Sequence, residues 1–377
     1  MNRPAWPDGY VAPAAVVAVA GLMLCGVGLF IAPSTMLAGW LTIALFLVGL
    51  PLGAMTVLMV HGLTGGRWGD ALRPPLRAMV ATLPLALLLL LPVLARPDLV
   101  FPWAGADPSM LSEVVRQKLP YLNEPFFIVR SIACASAWMA LGWLILARTA
   151  PDSGGPAGTS FYAAGLVVHG LAVTVFAIDW MLSIEPDFYS TIYAMLEAAA
   201  EVVGACALAL TVLAATRTIE TMPGGEEDAA LGEDVANMLF GFMLMWAYLA
   251  FMQWIIVWAG DLPDEIHWYI VRGRDGWQYW LWLLIALQFA VPFAGFLTRS
   301  IKRSHGGLLV LGVCVLSGHF IDMAWRVHPP LASAGAPVSW PDFAATAGAG
   351  GAWLAFFFWK LSQPGYVSFR GRRHVHG

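Results

Sequence analysis

Two long apolar runs meet in the stretch FAIDWMLSIEPDFYSTIYAMLEAAAE, residues 176–201, and this hairpin decides how the chain folds. Four of its carboxylates lie in or beside the apolar runs: Asp179, Glu185, Glu197 and Glu201. An ionised group near the centre of a membrane-spanning helix costs roughly 2.5–3.5 kcal/mol. We therefore expect these acids to be paired or to take part in the function, and we expect the functional site to include this hairpin.

The composition indicates a polytopic membrane protein. Of 377 residues, 59% are hydrophobic and only 12% are charged, whereas a soluble domain has about 25% charged residues. The net charge of -4 gives no basic footprint for nucleic acid. The four cysteines lie in apolar runs without a CxxC pair. The spacing therefore offers no support for an iron–sulfur, zinc or c-haem site in this chain.

Apolar runs near 20 residues mark the membrane spans. They predict ten helices, at about 11–31, 38–61, 76–95, 125–148, 160–182, 189–214, 235–259, 277–297, 307–325 and 342–361. The first run follows Arg3 as in a signal peptide, but it is long enough to span and is expected to stay uncleaved. The predicted segments are 1–37, 38–215 (spans 2 to 6), a linker at 216–234, 235–330 (spans 7 to 9) and 331–377 with a basic tail.

The basic residues of the connections predict the orientation. One side of the membrane receives 6 of them: Arg96, Arg116, Lys118, Arg272, Arg274 and Arg326. The other side receives 13: Arg3, Arg67, Arg73, Arg77, Arg148, Arg217, Arg299, Lys302, Arg303, Lys360, Arg370, Arg372 and Arg373. Because the cytoplasmic side carries the excess of Lys and Arg, both termini are expected there.

The carboxylates of spans 5 and 6 are the first candidate site. His169 and Asp179 are ten residues apart on span 5, about 15 Å along a helix. Glu197 and Glu201 are four residues apart, which places them on one face about 6 Å apart. Two like charges that close cannot both ionise cheaply, so one of them is expected to hold a proton. The alternative is a static hydrogen-bonded pair or a salt bridge to Arg130 on span 4.

Span 9 carries the second group. His319, Asp322 and Arg326 share one helical face. Asp322 and Arg326 are expected to form an internal ion pair, while His319 is either a satisfied core histidine or a proton carrier. His169 and His319 are the remaining candidates for haem ligation, because His61 lies too near the opposite surface, and we expect no haem. The neutral side chains of Gln253 and Gln288 are expected to make interhelical hydrogen bonds.

Several blocks of residues resemble a known family. They are DWxxSxxPxxYSTI at 179–192, WAYLAFxQxxxxW at 246–258, LPxE at 262–265, WY at 268–269, PF at 292–293 and DxxW at 322–325, with Arg299, Lys302 and Arg303. The first block resembles the hairpin of the polysulfide reductase (NrfD-like) membrane subunits. Together, over residues 165–330, the blocks resemble the ActF-type membrane subunits of bacterial alternative complex III. At the position of His319 that family more often has Arg.

The resemblance implies an all-α fold of ten transmembrane helices. Spans 2 to 5 and 6 to 9 would form two pseudo-symmetric four-helix bundles, with two peripheral helices beside them. It implies a bacterial inner-membrane complex that oxidises quinol and passes electrons to c-type cytochromes or a terminal oxidase. The partners would be a larger homologous membrane subunit where quinol is oxidised, multihaem cytochrome c subunits, an iron–sulfur subunit and a terminal cytochrome oxidase. Haem c and iron–sulfur clusters would lie on those partners, and none in this chain.

The preferred hypothesis is a subunit that is not itself redox-active and conducts protons through its buried acids. The predicted outer half-path runs Glu201, Glu197, Asp179, with Glu185 at its mouth. His169 is predicted to be the innermost proton-carrying residue of this path, and Asp322 with His319 to form a second, parallel branch. One alternative is a quinone site facing His169 and Asp179. Another is a scaffold that anchors cytochrome and oxidase subunits. A secondary transporter would need broken helices at the midplane, which the sequence does not suggest.

Overall fold

The protein is all helical. The computed structural model describes residues 8–150, 158–216, 226–332 and 337–367, and it is 84% helix, with no strand in these ranges. Nine helices in the described ranges are long and apolar enough to cross a membrane. Spans 1 to 9 are, in order, Asp8–Ile31, Pro33–Thr64, Arg67–Ala95, Glu124–Arg148, Thr159–Ile184, Tyr193–Ala215, Leu231–Gly260, Trp277–Leu297 and His305–Val327.

Three spans are interrupted. Span 3 consists of the helices Arg67–Val80, Leu83–Leu88 and Leu91–Ala95; the two later pieces each carry a proline in their first turn, where no backbone N–H is needed. Span 5 is the helix Thr159–Trp180 followed by the 3₁₀ turn Leu182–Ile184. Span 8 is Trp277–Leu284, a π-helical turn at Ile285–Ala290, and Val291–Leu297. Such π turns often occur at functional sites.

Shorter helices lie in the connections. They are Pro97–Leu99, Pro108–Met110, Glu113–Lys118, Pro263–Arg272, Arg299–Lys302 and Pro364–Val367. Span 7 belongs to a longer helix, Glu226–Gly260, so the helix begins inside the predicted linker 216–234. Residues 217–225 of that linker and 368–377 of the predicted basic tail lie outside the described ranges.

The predicted tenth span coincides with a helical segment that is not among the nine. This segment consists of Trp340–Ala345, a π turn at Thr346–Gly350, and Gly351–Ser362. The count of ten is therefore not confirmed. It packs antiparallel along span 1: the rings of Tyr10 and Phe358 are 5.7 Å apart, and a Cβ atom on Gly21 would collide with the backbone of Gly348.

The spanning helices pack in two groups, as predicted. Spans 2 to 5 contact one another, spans 6 to 9 contact one another, and span 1 pairs with the last helix at the periphery. Spans 2 and 6 join the two groups and are the most buried, each 83% buried over its apolar window. A Cβ atom on Gly53 would overlap the carbonyl oxygen of Glu201, so a glycine lets these two backbones approach closely. The second group is therefore built directly against the first.

Four connections form one end of the molecule, called here the long-loop face: residues 96–123, 185–192, 261–276, and the described parts of the last connection, 328–332 and 337–339. Lys118 Nζ donates to the carbonyl oxygen of Pro186 at 2.5 Å. Arg272 pairs with Glu185 at 2.5 Å, and the ring of Trp277 lies 5.8 Å from that of His328. These contacts link connections that are far apart in sequence, and they enclose the ends of spans 6 and 9.

Candidate functional site

Spans 6 and 9 run antiparallel with contacts repeating every seven residues. A Cβ atom on Gly204 would collide with the His319 ring, and one on Gly312 would lie 2.5 Å from Thr211 Oγ1. These small residues bring the two helices close together. The same register places a polar side chain in each layer, opposite a charged partner in the first layer and opposite a glycine in the other two. The three layers are Glu197 with Arg326, Gly204 with His319, and Thr211 with Gly312.

The first layer is a buried charged cluster. Arg326 Nη1 donates to Glu197 Oε2 at 2.6 Å, and Arg326 Nε donates to Asp322 Oδ2 at 3.1 Å. Trp246 Nε1 also donates to Asp322 Oδ2, at 3.3 Å. All three charged residues are at most 3% exposed. The predicted pair of Asp322 and Arg326 is thus present, and Glu197 joins it as a second carboxylate on one guanidinium.

Glu201 lies one turn from Glu197 but is not part of these bonds. It is 1% exposed, and neither of its carboxyl oxygens has a hydrogen-bond partner among the described residues. Its Cγ packs toward span 2, 3.4 Å from the position of a Cβ atom on Gly49. The two glutamates therefore share a helix face yet have different surroundings, one ion-paired and one enclosed by packing. The static hydrogen-bonded pair and the salt bridge to Arg130 are both absent in this part of the structure.

Arg130 instead pairs with Asp179 in the first group of spans. Arg130 Nε donates to Asp179 Oδ2 at 2.7 Å and Arg130 Nη2 donates to Asp179 Oδ1 at 3.0 Å, a bidentate and geometrically specific arrangement. The guanidinium also lies 3.7 Å above the ring of Tyr121. Burial raises the pKa of Tyr121, with Asp179 acting in the same direction, so the phenol stays neutral. Within the described ranges, no hydrogen bond joins Asp179 to Glu197 or Glu201.

Glu185 is tied to the cluster through Arg272, a residue that sequence reasoning did not single out. Arg272 is 1% exposed. In addition to its contact with Glu185, its Nη2 donates to the carbonyl oxygen of Arg326 at 2.6 Å. Its guanidinium lies 3.6 Å above the Trp268 ring. Burial lowers the pKa of Arg272, while Glu185 opposes the shift. Glu185 also lines a 590 Å³ groove on the long-loop face. In the sequence, Arg272 was noted only as one of the basic residues of the connections.

The buried histidines His169 and His319 belong to different groups of spans. His169 lies in span 5 with its ring 6.3 Å from that of Trp138, whereas His319 lies in span 9 with its ring 5.3 Å from that of Phe46. His319 is 0% exposed, and both of its ring nitrogens are without a hydrogen-bond partner in the part of the chain that the structure describes. The structure therefore places His319, and not His169, beside the charged cluster.

The two glutamines differ. Gln253 accepts a hydrogen bond from Ser190 Oγ at 3.1 Å, as expected of a residue that joins two segments. Gln288, in the π turn of span 8, is fully buried, and its amide makes no hydrogen bond with any described residue. No group of three or more His, Cys, Asp or Glu side chains in the described ranges is placed to hold a metal ion.

This architecture defines an all-helical, multi-pass membrane protein with a charged cluster buried between spans 6 and 9. Comparison with models of known protein families gives no match, and comparison with curated proteins gives none either. The membership suggested by the residue blocks therefore rests on those blocks alone.

Proposed function

We propose that this chain is an integral membrane subunit of a quinol-oxidising respiratory complex of the alternative complex III type. In this proposal the chain holds no redox centre of its own and conducts protons that are coupled to quinol oxidation on a neighbouring subunit. The observation that carries the proposal is the buried Glu201 carboxyl, one turn from the Glu197, Arg326 and Asp322 cluster, with no hydrogen-bond partner among the described residues.

Electrostatics gives this arrangement its chemistry. One guanidinium between two carboxylates leaves the cluster with one negative charge in excess if both acids are ionised. A third ionised carboxylate, at Glu201, would be a buried and uncompensated charge, which is strongly unfavourable. We therefore expect Glu201 to hold a proton at rest and to release it only when the charge of the cluster changes. This is the behaviour that a proton relay requires.

The route to the surface differs from the order first expected. Glu185 at the long-loop face contacts Arg272, and Arg272 contacts the backbone of Arg326. The proposed sequence is therefore Glu201, Glu197 with Asp322, and Glu185, with His319 on the membrane-interior side. Asp179 is assigned a structural role because both of its oxygens are bonded to Arg130. The same bonds disfavour the quinone site at Asp179 and His169.

The cellular setting is part of the proposal. We place the chain in a bacterial inner membrane, with the last helix as a tenth crossing, the long-loop face outside and both termini in the cytoplasm. Its partners would be the larger homologous membrane subunit, multihaem cytochrome c and iron–sulfur subunits, and a terminal oxidase. The basic residues of the connections and the resemblance support this placement. The alternative is that the chain only anchors other subunits as a scaffold, and the test below distinguishes this from a proton path.

The test measures protons and electrons separately in the whole complex. In liposomes, Glu201→Gln and Glu197→Gln should lower the ratio of protons moved to electrons transferred, while quinol oxidation by the detergent-solubilised complex persists. A matched control is Glu233→Gln, which also removes a paired carboxylate, since Glu233 bonds Arg303 at 2.9 Å at the opposite end of the molecule. If Glu201→Gln and Glu197→Gln keep the normal ratio in well-coupled vesicles, as the control should, the chain is a scaffold.

A further inference from the structure

Three cations lie together at the end of span 8 that is opposite to the long-loop face. They are Arg299, Lys302 and Arg303, called here the basic cluster, and they belong to the short helix after span 8 or follow it directly. Arg303 Nε donates to Glu233 Oε2 at 2.9 Å, and Arg299 Nε lies 3.6 Å from the same oxygen. Lys302 Nζ donates to Asn237 Oδ1 at 2.7 Å. The proposed proton route does not use these residues.

Span 7 holds the basic cluster in place. Glu233 and Asn237 are four residues apart on this span, so they lie one turn apart on the same face of the helix. Each of them bonds one cation of the cluster, Arg303 and Lys302 respectively. Side chains that are already held in position lose less conformational freedom when they bind a ligand. The basic cluster is therefore organised in advance of any binding event.

The basic cluster carries more positive charge than its protein partners neutralise. Glu233 is the only carboxylate bonded to it among the described residues, and it is shared by Arg299 and Arg303. The partner of Lys302, the amide of Asn237, is neutral. Asp234 is exposed but bonds none of the three cations in this part of the structure. Two positive charges are therefore in excess, and they are accessible, since the Arg299 side chain is 70% exposed.

The basic cluster lies at the level where a phospholipid headgroup would be. Span 8 ends at Leu297, two residues before Arg299, and Leu297 is 62% exposed. Val310 lies in the second turn of span 9, which begins at His305, and is 58% exposed. Both apolar side chains belong to spans that directly adjoin the cluster in sequence. A headgroup at the cluster would therefore have apolar helix surface available for its acyl chains.

We propose that the basic cluster binds an anionic phospholipid with two headgroup phosphates, as in cardiolipin, whose acyl chains lie along spans 8 and 9. Two phosphates match the two positive charges in excess, and guanidinium groups bind phosphate oxygens with paired hydrogen bonds. Basic pockets at the ends of membrane helices bind such headgroups. An acidic protein segment would match the charge but would leave Leu297 and Val310 without a role. The inference is independent of the proton route and of the orientation.

The experiment measures lipid binding to the full chain in detergent by native mass spectrometry. Tetraoleoyl cardiolipin should bind to its first site at least tenfold more tightly than dioleoyl phosphatidylcholine, which has no net charge. The double variant Arg299→Gln, Lys302→Gln should weaken cardiolipin binding about twentyfold, because each basic residue near an anionic headgroup contributes about fivefold.

A matched control removes two cations at the other end of the molecule. In Arg96→Gln, Arg116→Gln the net charge changes by the same amount, but each arginine has its own carboxylate, Asp98 and Glu113 respectively. The affinity for cardiolipin should stay unchanged. Equal losses in the two double variants would mean that only the net charge of the chain matters, and this would overturn the proposal.

A variant with the opposite expected effect separates binding from a structural role. Glu233→Gln removes the carboxylate that competes with phosphate, so cardiolipin should bind about fivefold more tightly. Weaker binding would mean that the ion pair only holds the helix in place, and would overturn the proposal.

Two further results decide between occupants, whether or not the double variant folds. Equal affinities of the unaltered chain for cardiolipin and phosphatidylcholine would overturn the proposal in favour of an acidic protein segment. Pyrophosphate has two phosphate groups but no acyl chains, and at equal concentration it should not displace cardiolipin. Displacement would also overturn the proposal, because the cluster would then be a site for soluble phosphate.

Discussion

Arg326 is the residue whose removal should lower the free energy of unfolding most. It is the only cation bonded to two buried carboxylates in the described part of the second group of spans. The side chains of Arg326, Glu197 and Asp322 are 1%, 2% and 4% exposed. Removing one partner of a buried ion pair costs about 3–5 kcal/mol, since the other charge remains in the interior. Arg326→Met removes the charge but keeps an apolar chain of similar length. We expect the free energy of unfolding to fall by about that amount.

The measurement is an SDS titration of the purified chain in mixed micelles, followed by far-ultraviolet circular dichroism. The matched control is Arg303→Met, because Arg303 also bonds one carboxylate, that of Glu233, but is 40% exposed. An exposed pair contributes about 0–1 kcal/mol. The control should therefore unfold almost like the unaltered chain.

The triple variant Arg326→Met, Glu197→Gln, Asp322→Asn separates the cost of an unpaired charge from lost packing. With no charge left in the layer, most of the stability should return. The reasoning is refuted if Arg326→Met and Arg303→Met lose equal stability, or if the triple variant is no more stable than Arg326→Met.

Three further results are expected. Burial lowers the pKa of His328 below its usual 6.5, although Asp342 at 3.4 Å acts in the opposite direction. As the pH falls, the unfolded chain therefore binds this proton before the folded chain does, so the free energy of unfolding should decrease below about pH 6.5. In unfolding measurements at several pH values, His328→Gln should show a weaker pH dependence. Gly53→Ala should destabilise spans 2 and 6 by about 1–3 kcal/mol, whereas Gly170→Ala, which meets no atom within 4 Å, should not. A cysteine at Asp264 should react with an impermeant maleimide added outside intact cells; protection until the cells are lysed would reverse the proposed orientation.

The sequence by itself determined the class of fold and the residues on each helix face. Hydropathy located the nine confirmed spans, because each spanning helix must bury its own backbone polar groups in hydrocarbon. Helical periodicity placed Glu197 beside Glu201 and Asp322 beside Arg326, since contacts three or four residues apart depend only on the geometry of one helix. The last helix, predicted at 342–361, is present as a helical segment but is not among the nine long apolar helices.

Only the tertiary structure decided which faces meet. Arg326 pairs with Glu197 across 129 residues, and Arg130 pairs with Asp179 across 49; local spacing holds no information about either pair. Which residues pair depends on where glycines such as Gly53 and Gly204 let two helices approach closely, because these contacts set the depth of the side chains in the interface. That same packing enclosed Glu201 and left Glu197 ion-paired, although both acids look alike in sequence. It also brought Arg272, from a connecting loop, against the end of span 9.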